Sequence, residues 1–409
     1  MQIMLINAKT RGPWWRPTGL EYIAEALAEA GYRVHLLDLT VEEEPQHAVK
    51  KWITNNHYDA VGISIFNTQW DRGRDCVDFF LPEIRNMISN IKKMTNVPVI
   101  LGGYGFSMQP EDILEYVGGD FGVAGCGTRT LPNLLEKIRG NSIKTGTVVR
   151  EQKGKYLDME FKRNTVNSDR YPEDEIVYVG AHDGCISNCY HCPFGSNKMR
   201  LRLRDPSKVI AEVQNLIIQG TKRIRFVSDM INVPVAYAES LCQGLTKLPI
   251  EWSADVHPIK KHLPLELVNS MKRSGMFSVN IGSRIIGSNR MCKVYRQEFD
   301  NRDIGYATRL FKERKIETAW FIGFGAPGEC KETIDDTFAL IDKVRPDEAS
   351  IITKARIYRN TELFSIAQNE GLVSPDDKLL EPVYYPFDDE LRDYIWEEAN
   401  NRENCTVYY

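Results

Sequence analysis

The stretch Ile176-Val-Tyr-Val-Gly-Ala-His-Asp-Gly-Cys185-Ile-Ser-Asn-Cys189-Tyr-His-Cys192 decides the fold of the second half of this chain. Its first four residues are apolar and β-prone, glycines at 180 and 184 end the run, and three cysteines crowd the loop that follows. Downstream, apolar runs expected as strands fall at 223–227, 250–253, 277–281, 318–323 and 349–353. Segments with helical spacing alternate with them at 206–219, 235–245, 264–274, 302–314 and 331–344. Six strand–helix units imply a parallel sheet, curved toward a partial (β/α)6 barrel over residues 173–371.

Upstream, a polar connecting segment covers 143–172, with Gly154 in an expected hairpin. Before it, residues 1–142 show a second alternation, with strands expected at 3–6, 34–37, 60–66, 97–101 and 121–124. Helices are expected at 18–31, 48–55, 76–93, 109–117 and 130–139. This reads as a doubly wound, Rossmann-like α/β domain, whose ligands bind beyond the carboxyl ends of the strands. Turn residues gather at those ends: Trp14, Phe66 and Asn67, then Gly102, Gly103 and Tyr104, then Gly125 and Gly127. The extension at 372–409 is rich in aromatic and acidic residues and fits neither alternation.

A chain of 409 residues suits two or three domains. A net charge of −4 offers no basic field for nucleic acid or anionic lipid. No apolar run reaches a membrane span, and the opening Met1-Gln-Ile-Met-Leu-Ile-Asn7 reads as a strand rather than a secretion signal. A soluble cytoplasmic protein is expected, with no membrane or nucleic-acid partner. Nine cysteines are an odd number, and Cys76, Cys126, Cys242, Cys292, Cys330 and Cys405 are scattered, which argues against a disulfide framework.

Cys185, Cys189 and Cys192 do not scatter. Three thiolates on one loop suit three irons of a [4Fe–4S] cluster and leave the fourth iron open to a ligand. Zinc remains a rival, with His182 or His191 as a fourth ligand, and Cys189 and Cys192 also form a redox Cys-x-x-Cys pair.

The cysteine spacing, directly after the first strand of a six-unit α/β domain, resembles the radical S-adenosylmethionine (radical SAM) superfamily. Phe226-Val-Ser-Asp-Met230, Gly323-Phe-Gly-Ala-Pro-Gly-Glu329 and Ala355-Arg-Ile-Tyr-Arg-Asn-Thr-Glu-Leu363 resemble its later segments. The resemblance implies that SAM chelates the open iron and yields a 5′-deoxyadenosyl radical. It implies a place near the adenine for His191, and near the methionine for Ser228 and Asp229. Asp255, Asn280 and Arg356 stand at expected strand ends and join the candidates. Where relatives often carry a ribose-binding glutamate, this chain has Arg284. A guanidinium only donates, so Arg284 suits the SAM carboxylate, unless it serves an ordinary salt bridge.

The first domain resembles the cobalamin-binding domain of one radical SAM branch through Pro17-Thr-Gly-Leu-Glu-Tyr22, Gly31-Tyr32 and Leu101-Gly-Gly-Tyr104. Trp14, Thr18, Ser64, Phe66, Asn67, Gly102, Gly103, Tyr104, Gly125 and Gly127 are its candidate cobalamin contacts. Trp14, Trp15 and Trp70 suit either a corrin face or the core. The Asp-x-His-x-x-Gly signature of His-on cobalamin proteins is absent, so the resemblance implies cobalt without a histidine below it.

The implied activity is methyl transfer from SAM, by way of methylcobalamin, to an unactivated sp3 carbon of a peptide or protein side chain, with an external electron donor. Among such enzymes the chain most resembles the archaeal enzymes that C-methylate glutamine in methyl-coenzyme M reductase. A non-methylating cyclisation or rearrangement with the same cofactors is one alternative, and a zinc-stabilised two-domain binding protein another. No residue stands out as acid, base or nucleophile.

Overall fold

The computed structural model describes residues 1–11, 15–71, 76–151, 159–172, 175–193 and 201–408, without the side chains of 283–285. Its contacts form two compact units, the first in the main reaching Val177 and the second beginning at Tyr178.

In the first unit β1 (Gln2–Asn7), α1 (Thr18–Glu29), β2 (Arg33–Asp38), α2 (Pro45–Asn55) and β3 (Ala60–Ser64) come first. A short pair follows, β4 (Gln69–Asp71) and β5 (Val77–Phe79), then α3 (Leu81–Met94) and β6 (Val99–Gly102). The unit closes with α4 (Tyr104–Met108), α5 (Pro110–Val117), β7 (Phe121–Ala124), α6 (Gly127–Arg139) and β8 (Thr147–Arg150). The six-stranded sheet runs β2-β1-β3-β6-β7-β8, and its ladders are parallel. Burial on both faces explains the unbroken apolar run of β1, where Ile3, Met4, Leu5 and Ile6 are buried. On one face Leu20, Ala24 and Leu27 of α1 pack with Leu131, Leu134 and Leu135 of α6. Strand order reverses between β1 and β3, which places a ligand crevice beyond their carboxyl ends.

In the second unit β9 (Ile176–Val179) leads to an antiparallel pair, β10 (His182–Asp183) and β11 (Arg202–Leu203), that brackets the cysteine loop. Next come α7 (Pro206–Ile218), β12 (Arg223–Phe226), α8 (Val235–Leu245), β13 (Glu251–Val256), α9 (Leu265–Arg273) and β14 (Met276–Ile286). Then come α10 (Asn289–Val294), α11 (Asn301–Lys312), β15 (Glu317–Gly323), α12 (Lys331–Val344) and β16 (Glu348–Ile352). Last are α13 (Glu362–Asn369), α14 (Asp389–Asn400) and β17 (Cys405–Tyr408). The seven-stranded sheet runs β17-β16-β15-β14-β13-β12-β9 and is open at both edges.

The two faces of this sheet differ. Ile224, Trp252, Ala254, Val279, Trp320, Ala349 and Ile351 are buried on one face. Both tryptophans bury their N–H groups with partners, Trp252 on the Ser274 carbonyl and Trp320 on the Thr308 hydroxyl. Cross-strand register puts Asp255 beside Asn280, Asn280 beside Ala319 and Phe321 beside Ser350 on the other face, all only partly buried. One face of the sheet is apolar and packed, and the other mixes polar and apolar side chains that stay partly open.

Three expectations change. The stretch expected as a helix from 76 forms β5 first, because Val77 and Phe79 favour a strand, and Pro82 then opens α3. Residues 143–172, expected as a connector, supply β8 to the first sheet and bury Arg163 completely, while Gly154 lies outside the described residues. The extension is ordered: Asp388 caps α14, and β17 adds a seventh strand. A four-residue edge strand behind an acidic helix leaves little periodic signal to read.

The buried charge of Arg163 is met within the first unit. Its Nε and Nη2 donate to Glu21, and its backbone N–H donates to Glu25. Arg16 donates to the other Glu21 oxygen at 3.2 Å. Asp38, at the end of β2, accepts from the Tyr171 hydroxyl at 2.6 Å and from Asn7 at 2.7 Å. Burial pushes the Glu175 carboxyl up to about 7, although the Arg16 backbone N–H donates to it.

Candidate functional site

The cysteine loop leaves β10 at Gly184, whose φ of +86° suits glycine. The Ser187 backbone N–H donates to the Cys185 sulfur at 3.3 Å, and the Cys192 N–H donates to the Cys189 carbonyl at 3.2 Å. Burial, then the nearby Asp229 carboxylate, pushes the Cys185 thiol up. None of the nine cysteines is paired in a disulfide. Among the described residues no three His, Cys, Asp or Glu side chains group as ligands of a single ion would. A four-iron cluster asks for something different, because its cysteines bind separate irons and need no common point. The thiols, an N–H donated to one of them and an adjoining cavity of about 160 Å³ suit such a group. That cavity is lined by Cys189 and Cys192 with Asn188, Arg296, Thr361 and Glu362.

Elements far away in sequence hold the loop. Tyr295, at the end of α10, packs its ring against Tyr190 and His191 and donates its hydroxyl to the Gly323 carbonyl at 2.8 Å. Arg296 pairs with Glu362, and Gln297 directs its side-chain amide at the Cys189 sulfur, 3.9 Å away. The Leu363 N–H, in the first turn of α13, donates to the Tyr190 carbonyl at 3.1 Å. After the loop, fully buried Arg204 donates back to the Gly180 carbonyl at 2.6 Å and to buried Glu212 at 2.7 Å. Gly323, Glu362 and Leu363 fall in segments quoted from the sequence, whereas Tyr295, Arg296, Gln297, Arg204 and Glu212 were not singled out there. Arg204 lies well past the last cysteine in sequence, and Gln297 carries no motif.

The SAM candidates lie on several elements. His191 contacts Tyr190 and Tyr295 edge-on. Ser228 is buried, and its hydroxyl accepts the His182 backbone N–H at 3.2 Å, so it ties the end of β12 to β10. Asp229 stands close enough to Cys185 and His182 to act on both charges. Asp255 accepts from Arg225 at 2.6 Å on the polar face, next to Asn280. Arg356 is buried, stacks on Tyr358 at 4.5 Å and bridges to Tyr384. Arg284 lies where the β14 ladder shifts register, but its side chain is outside the described residues.

Glu329, which ends the Gly323–Glu329 stretch, takes the Thr333 hydroxyl on one oxygen and leaves the other buried with no partner. Burial pushes its carboxyl up to about 7.

In the first unit the cobalamin candidates gather at one sheet edge. Ser64 ends β3, Phe66 and Asn67 follow it, Gly102 to Tyr104 follow β6, and Gly125 and Gly127 follow β7. A cleft there is lined by Lys9, Arg11, Phe66, Asn67 and Trp70. The Lys9 ammonium lies 4.5 Å from the Trp15 ring centre and 5.9 Å from that of Trp70. Burial lowers the pKa of Lys9 to about 8. Thr18 accepts from Arg163 at 3.2 Å. Trp14 lies outside the described residues.

The glycines there serve different ends. A Cβ on Gly103 would come within 2.6 Å of the Ile65 carbonyl oxygen, and one on Gly127 within 2.6 Å of Ile23. These two admit the chain's own neighbours. Gly102 has only the Val123 oxygen at 3.6 Å, and Gly125 only Glu151 at 3.5 Å, so both keep room beside the backbone.

Residues 4–135 match the B12 binding domain family. Over 137 residues, a third of this chain (33%), the sequence is 27% identical to tryptophan 2-C-methyltransferase of Streptomyces laurentii, covering 23% of that protein. Over 289 residues it is 24% identical to tRNA-2-methylthio-N(6)-dimethylallyladenosine synthase of Moorella thermoacetica, covering 61% of this chain and 62% of that one. The chain thus spans less than two thirds of each of these curated relatives. The solved structure of the radical S-adenosylmethionine methyltransferase TsrM from Kitasatospora setae, with tryptophan and a SAM analogue bound, superposes with a TM-score of 0.82 at 22% identity. That superposition covers 90% of this chain and 76% of the other, so the two share a fold. No helix among the described residues is long and apolar enough to cross a membrane.

Proposed function

We propose that this chain is a cobalamin-dependent radical SAM methyltransferase, moving a methyl group from SAM by way of cobalamin to a carbon atom. One observation carries the reading: a single chain joins a B12-binding domain match over 4–135 to an α/β sheet whose first strand runs into three cysteines outside any disulfide. In this reading Cys185, Cys189 and Cys192 hold a [4Fe–4S] cluster that keeps one iron for SAM. His191, Ser228, Asp229, Asp255, Asn280, Arg284 and Arg356 surround the nucleoside, and the edge residues after β3, β6 and β7 receive cobalamin. The cofactors supply radical and methyl chemistry that side chains lack.

The chain's own part is placement and charge. Tyr190, Tyr295 and Leu363 fix the loop that carries the thiolates, and Arg225 orients Asp255. A glutamine of methyl-coenzyme M reductase draws no support from the relatives. The relative named for an amino-acid substrate acts on tryptophan, so the proposed substrate is an amino-acid carbon, free or within a peptide. An external one-electron donor completes the system. Nine cysteines without a disulfide suit a reducing cytoplasm. Methylthio transfer is disfavoured, because a second cluster needs three more cysteines and the first domain holds only Cys76 and Cys126.

Anaerobic purification with added corrinoid tests the reading. Iron, sulfide and corrin bands are expected, with label passing from methyl-labelled SAM to substrate, and Cys189→Ala loses the iron. A colourless protein with one zinc overturns it, while SAM turnover without methylated product moves it to the rearranging alternative.

A further inference from the structure

We propose that Gln297 donates a hydrogen bond to the Cys189 sulfur and thereby raises the reduction potential of the cluster held there, an inference that rests on the cluster reading above. The side-chain Nε2 lies 3.9 Å from Cys189 Sγ, within reach of a large, diffuse acceptor, across 108 residues of sequence.

The placement is built in. The chain leaving α10 turns through Arg296 in the left-handed region, at φ +57°, a conformation disfavoured for a residue with a side chain. The Gln297 N–H closes that turn on the Cys292 carbonyl at 2.8 Å, and the Arg296 N–H on the Lys293 carbonyl at 3.0 Å. Tyr295 anchors one side through the Gly323 carbonyl and the rings of Tyr190 and His191. Arg296 anchors the other through Glu362, next to Leu363, whose N–H holds the Tyr190 carbonyl. Three successive residues thus grip the cysteine loop or its neighbour, and the third presents an N–H to sulfur.

The direction follows from electrostatics. Adding an electron to an iron–sulfur cluster increases the negative charge on its sulfurs, so a donor at one of them stabilises the reduced state more than the oxidised. Gln297 is neutral, so the effect comes from the N–H dipole and asks for no proton transfer. The Ser187 N–H at Cys185 is a backbone donor that no substitution other than proline removes.

The test is an anaerobic potentiometric titration of the cluster-loaded enzyme followed by electron paramagnetic resonance, comparing wild type with Gln297→Met and Gln297→Glu. At a fixed potential the reduced-to-oxidised ratio of Gln297→Met is expected to fall about tenfold, a midpoint about 59 mV lower for a one-electron couple. Gln297→Glu, which puts a carboxylate where the donor was, moves the midpoint further the same way. An unchanged midpoint at full iron content in Gln297→Met overturns the proposal. Wild type labelled with 15N in the glutamine side-chain amides needs no variant to assemble a cluster: a 15N hyperfine coupling to the reduced cluster supports the contact, and its absence overturns it. A wild-type protein without iron and sulfide sinks the functional reading itself, whereas a loaded one with an unmoved midpoint sinks only the role of Gln297.

Discussion

Two nitrogens of Arg163, Nε at 3.1 Å and Nη2 at 2.5 Å, donate to the same Glu21 oxygen, and neither side chain reaches solvent. Removing the cation leaves a buried carboxylate whose remaining side-chain partner, among the described residues, is Arg16 at 3.2 Å. Arg163→Met is expected to destabilise the first unit by about 3–5 kcal/mol, since breaking one side of a buried pair strands the other charge. The double change Arg163→Met with Glu21→Leu costs much less. Urea unfolding followed by circular dichroism checks both, and equal losses in single and double variants contradict the argument.

This ion network also shows where the sequence stopped being legible. Alternating apolar runs and helical spacing announced both sheets, because burial on a sheet face writes a period into the chain. The cysteine loop was readable because its three cysteines, Cys185, Cys189 and Cys192, fall close together in sequence. Arg163, Glu21, Arg204 and Glu212 were not, since charged residues read as solvent-facing until tertiary structure pairs them. Gln297 lay 108 residues from its sulfur partner. The glycines at 102 and 103 looked alike, yet only coordinates separate the one that admits Ile65 from the one that stays open.

That separation can be measured. Gly103 adopts φ +102°, and its Cβ would meet Ile65 backbone atoms at 2.6 and 2.9 Å. Gly103→Ala therefore combines left-handed strain with a backbone clash, and a loss of more than about 2 kcal/mol is expected. Gly102→Ala meets a single atom at 3.6 Å and is expected to cost less than about 1 kcal/mol. Thermal unfolding ranks the two, and equal losses sink the distinction.

Glu329 predicts a pH dependence. Burial raises its carboxyl from the ordinary 4.5 to about 7, so the folded chain keeps a proton that the unfolded chain releases. A raised folded pKa gives stability that is complete below about pH 4.5 and is lost as pH climbs through about 7. The loss is about 3 kcal/mol at most. Glu329→Gln stays neutral and keeps an acceptor for Thr333, so its urea midpoint should fall less between about pH 5 and about pH 8 than that of wild type. Glu175 titrates over the same range in both proteins, so the difference between them isolates Glu329. Identical falls refute the assignment.

The two faces of the second sheet predict a separation of stability from binding. Trp252 is buried on the packed face, and Asp255, three residues on, lies on the half-open face paired with Arg225. Trp252→Ala removes a large buried ring and is expected to cost about 3–5 kcal/mol. Asp255→Ala breaks an ion pair whose side chains are about a quarter exposed (23% and 26%), so it should cost no more than about 1 kcal/mol. If the polar face receives the nucleoside, the same change should weaken SAM binding by about tenfold, the loss of one hydrogen bond to a charged group. Equilibrium dialysis with labelled SAM on the cluster-loaded protein reads the affinity, and thermal unfolding reads the fold. An Asp255→Ala protein that binds SAM as wild type does would move the nucleoside off this face, and one that loses stability as Trp252→Ala does would show that the face is packed rather than open.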